Sequence, residues 1–382
     1  MSQPPAPQNP SLPWRLSSAT IMGLTGVLSR GFLYWLNTVE VTGLSRFLDI
    51  LDSRRDIEKR QRGLLTVSNH VSVLDDPIIW GLLPTSYGFN PSNLRWTLGA
   101  HDICFKTRLL TRFFTLGQVL PAHRSKHSEF GGPFQPSITQ AIRLLSAQPF
   151  SPAPHHPASP PDLPDPFTTG ALTYTTNGAD TLPSPAYFPS NRHSWVHVFP
   201  EGLVHQHPAS DLRYFKWGVA RLILEADPPP DVLPMFIDGT QRCMPEHRTF
   251  PRFAPRVGKR IRVAFGEVLD YEATFGDLRR RWDGLVVRSR VGPRWRAGSG
   301  GVGGEVAMLG ELPDELKHSK EAQEIRIEVA RRMRDEVLKV RRALGYPEPD
   351  PLLSDAATWR ADDEIEAKKY KSRVDGSEIN QD

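Results

Sequence analysis

Residues 64–83 read LLTVSNHVSVLDDPIIWGLL and decide the fold. The apolar run Leu64–Ser68 has the composition of a buried strand, and the residues after it repeat at helical spacing. Asp76 followed by Pro77 is typical of a helix start, because aspartate caps the first turn and proline suits the first helical position. The stretch therefore predicts a strand, a short polar turn and a helix over Pro77–Leu83.

Further apolar runs extend this alternation along the chain. Strands are also predicted at Leu94–Leu98, Gln118–Pro121, Trp195–Phe199, Val232–Ile237 and Arg260–Phe265. Helices are predicted at Asp102–Phe114, Pro136–Leu145 and Leu212–Glu225. Strands that alternate with helices form layered domains. The sequence thus predicts an α/β fold, with a layered mixed β-sheet flanked by helices over residues 63–270.

An N-terminal helical region precedes this domain. Residues 1–16 are predicted to be disordered, and residues 17–62 to form a membrane-associating helical region. The apolar stretch Ala19–Leu36 is interrupted by Arg30, and a central charge is costly in a bilayer span. A helix in the interface, with Arg30 reaching the headgroups and Trp35 at the boundary, is one interpretation. A helix packed on the domain is the other, and both stay open.

Two insertions and a long helix complete the predicted organisation. Residues 147–192 are rich in proline, so a flexible insertion is expected there. Residues 271–312 are predicted to be a linker with an Arg/Gly-rich insertion. The segment 313–346 carries an apolar stripe with charged residues around it, which predicts a docked C-terminal helix. A disordered tail is predicted over residues 347–382.

Composition excludes several classes of protein. The chain has 382 residues and a formal net charge of +4, an excess compatible with an anionic membrane surface but too small to indicate nucleic-acid binding. Its two cysteines, Cys104 and Cys243, cannot form a disulfide framework. Composition leaves the oligomeric state and any protein partners undetermined.

The polar turn after the first strand offers a base and a carboxylate. His70 and Asp75 are separated by four residues, so the turn can bring the carboxylate back onto the imidazole. A neutral imidazole can take a proton from a hydroxyl and return it to a leaving alkoxide, and a carboxylate on its other nitrogen fixes the tautomer. This arrangement favours acyl transfer to a lipid hydroxyl without an enzyme nucleophile. In the alternative interpretation, His70 caps a turn and Asp75 helps to start the helix.

A second motif follows the strand Trp195–Phe199. Phe199, Pro200, Glu201 and Gly202 form a predicted turn in which the carboxylate can hold a glycerol hydroxyl or orient donors. Arg124 closes another apolar run and can bind a phosphodiester through two nitrogens. No metal site is predicted, because the histidine pairs His155-His156 and His205-x-His207 lack partners at zinc spacing.

These motifs resemble the signature blocks of the glycerolipid acyltransferase family. Asn69-His70-x4-Asp75 resembles the first block, Arg124 falls in the second, Phe199–Gly202 resembles the third and Val232–Pro234 the fourth. Within that family the chain is most similar to mitochondrial phospholipid–lysophospholipid transacylases that remodel cardiolipin. The strings that carry this likeness are Asn69–Pro77, Leu94–Thr97, Asp102–Phe105, Trp195–Gly202, Arg213–Gly218 and Phe250–Phe253.

The resemblance implies roles for individual residues. His70 is expected to be the base and Asp75 its orienter, and the expected substrate-binding residues are Asn69, Arg124, Phe199, Pro200, Glu201 and Gly202. The expected substrates are phospholipids and lysophospholipids, namely cardiolipin, monolysocardiolipin and phosphatidylcholine, with no cofactor. The resemblance also implies a non-spanning protein on the inner and outer mitochondrial membranes that faces the intermembrane space.

Two other functions stay open on the sequence. An acyl-coenzyme A-dependent lysophospholipid acyltransferase would use the same base, because a thioester and an oxyester are attacked alike. A non-catalytic membrane-binding scaffold would insert the N-terminal helix and the region Gly218–Leu224, and would assemble with partners through the long C-terminal helix. Measuring activity with and without acyl-coenzyme A distinguishes the thioester-dependent acyltransferase from the transacylase. Vesicle binding without any acyl exchange would identify the scaffold.

Overall fold

A mixed seven-stranded sheet forms the centre of the computed structural model, which describes residues 12–147, 173–183, 192–291 and 312–358. The strands are β1 Thr38–Thr42, β2 Leu64–Ser68, β3 Arg95–Ala100, β4 Val119–Ala122, β5 Thr173–Tyr174, β6 Leu182–Pro183, β7 Trp195–Val198, β8 Asp231–Asp238 and β9 Arg260–Phe265. The sheet order is β1-β9-β8-β2-β7-β3-β4, and β5 and β6 form a separate antiparallel pair.

Helices cover both faces of this sheet. Their bounds are Leu12–Leu36, Leu44–Ser53, Asp75–Leu82, Thr85–Gly88, His101–Cys104, Arg108–Leu116, Pro136–Leu145, Gly218–Glu225, Thr240–Cys243, Tyr271–Val291, Asp314–His318 and Lys320–Ala343. Strand β8 runs antiparallel to β9 and parallel to β2, while β2, β7, β3 and β4 are parallel to one another. This layered, mixed sheet confirms the predicted α/β class.

Strand β2 lies in the middle of the sheet, with all five residues buried. Leu65 and Val67 join one core cluster, against Pro136–Leu145, Gly218–Glu225 and the C-terminal helix Lys320–Ala343. Leu64 joins the other cluster, against the first helix. Because successive side chains of a strand point to opposite faces, a strand buried on both faces needs an almost continuous apolar run. That requirement explains why this stretch of sequence identifies the centre of the fold.

The first helix packs along Asp75–Leu82. A Cβ atom on Gly81 would lie 2.6 Å from the backbone nitrogen of Arg30, so glycine permits the close approach. The Arg30 guanidinium is used inside the protein, which fits the interpretation of a helix packed on the domain and not that of an arginine reaching the headgroups. Its Nη1 donates to the carbonyls of Gly81 and Leu83, each at 3.3 Å, at the C-terminal end of the neighbouring helix. Of the described helices, none combines the length and apolar character of a membrane span.

Two predicted helices differ from the structure in their start or their continuity. The helix predicted over Pro77–Leu83 already begins at Asp75, so the expected cap, Asp76, lies inside its first turn and accepts from Arg95, with Nε to Oδ1 at 3.0 Å. The predicted helix Asp102–Phe114 is two helices, His101–Cys104 and Arg108–Leu116. Thr107 separates them, and its side chain accepts a hydrogen bond from the backbone of Leu110.

The predicted helix Leu212–Glu225 starts only at Gly218. Residues 212–217 stay non-helical because the carbonyls of Leu212 and Arg213 accept hydrogen bonds from Arg334, at 2.7 and 2.9 Å. The predicted C-terminal helix is likewise divided, since Ser319 caps Lys320–Ala343 by accepting from the Ala322 backbone. Tertiary contacts, which no local pattern reveals, set these boundaries.

Several predicted boundaries differ from the structure. Strand β1, from the predicted N-terminal region, pairs with β9 and extends the sheet. The first part of the predicted linker 271–312 is the helix Tyr271–Val291, with Phe275, Leu278 and Trp282 buried at helical spacing. Within the predicted insertion 147–192, the described residues 173–183 hold β5 and β6. A 3-10 turn, Pro351–Ser354, lies in the predicted tail. Residues 1–11, 148–172, 184–191, 292–311 and 359–382 lie outside the described part.

Candidate active site

His70 and Asp75 face each other across the turn that follows β2. Nδ1 of His70 lies 2.9 Å from Oδ2 of Asp75. The same oxygen accepts the backbone N–H groups of Val71 and Ser72, at 2.7 and 2.8 Å. Oδ1 accepts from the hydroxyl of Thr240, which follows β8. The Asp75 carboxylate is therefore fully buried, surrounded by hydrogen-bond donors and fixed toward the imidazole.

The outer side of the imidazole is open to a substrate. The His70 side chain is 20% exposed, and its ring stacks on Phe199 with centroids 4.4 Å apart. Within the described residues, no hydrogen bond to Nε2 of His70 is found. Since Nδ1 faces the carboxylate, the proton-accepting nitrogen is Nε2 in the tautomer that Asp75 stabilises. One face of the ring is thus fixed by an aromatic side chain, and one nitrogen is free for proton transfer.

Glu201 ties the two predicted motifs together through the backbone. Its Oε1 accepts the N–H of His70 at 3.0 Å, and its Oε2 accepts the N–H of Arg213 at 3.2 Å. The side chain is buried, and burial raises the pKa of Glu201 to about 7, although the two backbone donors and the charge of Arg213 lower it in part. The sequence predicted a carboxylate that holds substrate. The structure places this one beneath the histidine turn, as a residue that positions the backbone of His70.

Its raised pKa makes Glu201 a source of pH-dependent stability. An acid whose pKa is higher in the folded chain than in the unfolded chain keeps its proton longer when folded, so stability falls as pH rises from about 4.5 to about 7. We expect Glu201→Gln, which cannot ionise, to gain stability relative to the parent chain over that range. Urea unfolding of both chains at pH 5 and at pH 8 measures this gain in the free energy of unfolding. If the two chains differed in free energy of unfolding by the same amount at pH 5 and at pH 8, the raised pKa of Glu201 would be wrong.

Gly202 and Pro200 shape the turn that carries Glu201. Gly202 has φ = 72°, a left-handed conformation that favours glycine. A Cβ atom there would also lie 2.9 Å from the side chain of Lys216. The carbonyl of Pro200 accepts the backbone N–H of Lys216 at 2.8 Å. Both residues therefore fix the loop, and neither offers a polar side chain to a substrate.

Asn69 is committed to the sheet. Its side-chain nitrogen donates to the carbonyl of Ile237 and its oxygen accepts the N–H of the same residue, both at 2.8 Å. Because both ends of the amide are used on β8 and the residue is buried, a direct substrate contact through Asn69 has no support in this geometry. Its effect is to attach the histidine turn to the neighbouring strand.

Arg124 lies at the same edge of the sheet, but apart from His70. Strand β4 is three positions from β2, which at strand spacing corresponds to about 14 Å. The guanidinium of Arg124 binds the carboxylate of Asp102, with Nε to Oδ1 at 3.0 Å. Arg124 is thus not in contact with the His70–Asp75 pair, and an extended lipid headgroup would be needed to reach both.

Two residues of the site have no clear signal in the sequence. Thr240 follows strand β8 and donates its hydroxyl to Asp75. In the sequence, Thr240 is marked only by its position after Asp238-Gly239, where a predicted strand ends in a turn. His197 lies on β7 behind Phe199, with its Nδ1 2.8 Å from the hydroxyl of Thr66. Burial, with the charges of Arg95 and His70, holds the pKa of His197 well below its usual value, so the ring is neutral.

The C-terminal helix holds the loop beside the site. Arg341 is fully buried, and its Nε and Nη2 donate to the carbonyls of Ser210 and Ala209 at 3.0 and 2.8 Å. It also forms an ion pair with buried Asp211. Arg334 binds the carbonyls of Leu212 and Arg213 farther along the loop, and the N–H of Arg213 donates to Glu201. The helix thereby positions the loop that carries this donor.

We expect Arg341→Ala to lower the free energy of unfolding by about 3–5 kcal/mol, because it leaves Asp211 buried without its ion-pair partner. Arg331→Ala is the matched control, since Arg331 lies on the exposed face of the same helix with surface ion pairs only. That control should change stability by less than about 1 kcal/mol. Urea unfolding measures the stability of both variants. Equal losses of stability would show that the buried contacts of Arg341 do not cause the effect.

Comparison with known proteins places this geometry in a family. Residues 40–156 match the Acyltransferase family. The chain is 34% identical to tafazzin of Saccharomyces cerevisiae over 368 residues, which cover 93% of this chain and 86% of the yeast protein. The chain belongs to the tafazzin family. Tafazzin of Drosophila melanogaster is 30% identical over 72% of this chain and 58% of its own length.

A solved structure is also similar, but loosely. The 1-acyl-sn-glycerophosphate acyltransferase PlsC of Thermotoga maritima superimposes with a TM-score of 0.37 and 16% identity, over 71% of this chain and 77% of that chain. A superposition at this level carries no weight beyond the sequence relationship. Membership of the tafazzin family and the acyltransferase match make this protein a phospholipid acyltransferase with lipid substrates.

Proposed function

We propose that this chain is a coenzyme A-independent phospholipid–lysophospholipid transacylase that remodels cardiolipin. The observation that carries the proposal is the 2.9 Å contact between Nδ1 of His70 and buried Asp75, which leaves Nε2 toward solvent. The acyl donor is a phospholipid such as phosphatidylcholine, and the acceptor is monolysocardiolipin. The resemblance to cardiolipin-remodelling transacylases supports these substrates.

The reaction transfers one acyl group between two alcohols. Nε2 of His70 takes the proton of the lysolipid hydroxyl as that oxygen attacks the carbonyl carbon of the donor ester. The tetrahedral intermediate then expels the oxygen of the donor glycerol, and the imidazolium of His70 returns the proton to it. Asp75 stabilises the imidazolium between the two steps. One ester forms and one ester breaks, so the exchange is close to thermoneutral and needs neither a coenzyme nor a metal to drive it.

An acyl-exchange assay tests this proposal directly. Vesicles of phosphatidylcholine with a labelled acyl chain and monolysocardiolipin receive the purified chain without any acyl-coenzyme A. We expect labelled cardiolipin to form. A chain that makes labelled product only when acyl-coenzyme A replaces the phosphatidylcholine donor would be a thioester-dependent acyltransferase. A chain that binds the vesicles and makes no product from either donor would be a scaffold.

We further propose that one apolar surface lies in the membrane interface. We define it by the outer face of Leu12–Leu36, the helix Arg108–Leu116 and the loop 249–257. Its exposed apolar residues include Leu28 at 73%, Trp35 at 87%, Leu109 at 79%, Phe250 at 87% and Phe253 at 81%. Large exposed apolar surfaces on monomeric proteins usually bind something.

The parts of this interface surface are neighbours in the structure. The carbonyl of Leu36 accepts the backbone N–H of Gly258 at 2.8 Å, next to the phenylalanine loop. At the other end of the first helix, the hydroxyl of Ser18 donates to the carbonyl of Leu116 at 2.7 Å. Three exposed arginines, Arg108, Arg112 and Arg252, alternate with the apolar residues. Apolar residues mixed with cations are typical of binding to anionic lipid.

Vesicle sedimentation tests the interface surface. We expect Phe250→Ser with Phe253→Ser to bind vesicles of anionic phospholipid about tenfold or more weakly, because each phenylalanine loses apolar burial. Leu352→Ser is the control, since Leu352 is 64% exposed in the turn Pro351–Ser354 outside this surface. Equal binding by both variants would contradict the placement.

The cellular location rests on the family. We propose that the chain acts on the inner and outer mitochondrial membranes and faces the intermembrane space, without crossing either membrane. Resemblance to mitochondrial transacylases supports this location. Fractionation of mitochondria with protease protection tests it, and recovery of the chain in another compartment would contradict it.

A further inference from the structure

Two histidines and an aspartate converge at the sheet edge, away from the His70–Asp75 pair. His101 directly follows β3, His123 directly follows β4, and Asp180 lies between β5 and β6. One ligand atom of each residue lies within 4.8 Å of the others. We propose that His101, His123 and Asp180 form a binding site for a divalent metal ion, with Zn²⁺ as the best match. This site is separate from the acyl-transfer chemistry.

The sheet register explains why the two imidazoles meet. Strands β3 and β4 are parallel neighbours, and Ala100 is the register partner of Ala122. The residues that follow therefore leave the sheet side by side. The rings of His101 and His123 stack with centroids 4.3 Å apart and 23° between their planes. The spacing of 22 positions in the sequence gives no metal motif, which is why only the assembled sheet reveals the pair.

Both rings direct Nε2 to the same carboxylate region. Nε2 of His101 is 3.0 Å from Oδ2 of Asp180. Nε2 of His123 is 2.7 Å from the hydroxyl of Thr176, which in turn donates to Oδ2 of Asp180. Hydrogen bonds join these groups at present. A cation seated among the three ligand atoms would replace those bonds without moving the strands.

The surroundings of Asp180 suit a metal ligand. Its Oδ1 accepts the hydroxyl of Thr175 at 2.9 Å and the backbone N–H of Thr176 at 2.6 Å. Such outer contacts orient a coordinating carboxylate and leave its second oxygen for the ion. His123 is only 6% exposed, so one imidazole is already held by packing. The preorganised part of the site therefore consists of His123, directly after β4, and the carboxylate of Asp180.

Ligand chemistry and dimensions select the ion. Two imidazoles and a carboxylate suit Zn²⁺ and other first-row divalent ions better than Mg²⁺ or Ca²⁺. With bonds of about 2.0–2.1 Å at a tetrahedral angle, ligand atoms on Zn²⁺ lie about 3.3 Å apart. Because no two ligand atoms are more than 4.8 Å apart, the widest pair must close by at most about 1.5 Å. Rotation of the partly exposed His101 side chain supplies that movement.

Bound metal would attach the β5–β6 pair to the carboxyl ends of β3 and β4. His101 adjoins Asp102, and His123 adjoins Arg124, which bind each other beside the site. The metal would thus fix the segment 173–183 next to this ion pair. Its expected role is to stabilise this edge of the domain, not to activate a reacting oxygen.

Metal binding to the full chain without an affinity tag tests the proposal. After removal of metal with a chelator, Zn²⁺ is titrated by calorimetry and the bound metal is counted by elemental analysis. We expect one Zn²⁺ per chain and a higher midpoint of thermal unfolding in its presence. His123→Ala and Asp180→Asn should weaken binding by more than the roughly 10–100-fold typical of losing an outer contact, and should remove the thermal shift.

Two controls separate this site from adventitious histidines. His247→Ala removes an exposed histidine, and His155→Ala with His156→Ala removes the adjacent pair in the sequence. Both should retain one Zn²⁺ per chain with unchanged affinity. Asp180→Asn is nearly isosteric and keeps Oδ1 for the Thr175 hydroxyl and the Thr176 N–H, so its unfolding midpoint in chelator should fall only slightly. A midpoint that stays well above the titration temperature shows that loss of Zn²⁺ binding is not loss of fold. Failure of the parent chain to bind one equivalent, or equal binding by His123→Ala and His247→Ala, would overturn the proposal.

Discussion

His70→Ala is expected to lower acyl transfer by about 10²–10⁴-fold, the loss usual for a positioned general base. Nε2 of His70 is the nitrogen that the 2.9 Å contact of Nδ1 with Asp75 leaves for the lipid hydroxyl. Alanine keeps the backbone N–H that donates to Glu201, so the turn retains its support. The effect should therefore fall on the rate and not on vesicle binding. Labelled acyl exchange at several vesicle concentrations separates the two.

A matched histidine variant isolates the chemical effect. His247→Ala removes an exposed imidazole elsewhere and should exchange acyl chains at the parental rate. In His70→Ala, Oδ2 of Asp75 keeps the N–H donors of Val71 and Ser72, so the variant should still fold, with an unfolding midpoint somewhat below that of the parent. Acyl exchange within a few-fold of the parent in folded His70→Ala would refute His70 as the base.

Asp75→Asn is expected to cause a similar loss of rate together with a loss of stability. The buried carboxylate accepts from His70, two backbone N–H groups and Thr240, and an amide cannot accept all four. The imidazole then loses the group that fixes its tautomer, a change that costs about 10⁴-fold in serine proteases. Unpaired buried donors should lower the free energy of unfolding by about 1–3 kcal/mol each.

Thr240→Val separates the two consequences of the Asp75 change. It removes the hydroxyl that donates to Oδ1 of Asp75 but leaves Oδ2 facing His70. We expect a stability loss of about 1 kcal/mol and an exchange rate close to that of the parent. Urea unfolding and labelled exchange measure both variants. If Thr240→Val lost as much rate as Asp75→Asn, the contact with His70 would not be the cause.

The placement of the pair was predictable from local chemistry. His70 and Asp75 lie in one turn, five positions apart, and no distant contact is needed to bring them within hydrogen-bond distance. The strand before them was equally predictable, because burial on both faces leaves an apolar run in the sequence. The catalytic roles of these residues remain predictions until the variants are measured.

The roles expected of Asn69 and Glu201 illustrate what local chemistry misses. Both are polar residues at strand ends, which suggests substrate contacts. In the structure, Asn69 is used on the backbone of β8, and Glu201 on the backbone of His70 and Arg213. The partner of Asn69 is 168 positions away in the sequence, and one of the two partners of Glu201 is 131 positions away. No spacing in the sequence distinguishes a polar side chain that meets substrate from one that satisfies backbone groups.

The sequence by itself determined the α/β class, the positions of most central strands along the chain and the His70–Asp75 pair, since each depends on periodicity or on contacts within one turn. The tertiary structure alone decided where the helix before Glu225 begins, how the C-terminal helix holds the loop 209–213, and that His101, His123 and Asp180 converge. Those features depend on strand register and on buried side chains that satisfy distant backbone carbonyls. Such contacts form only after the sheet has assembled, so no local pattern records them.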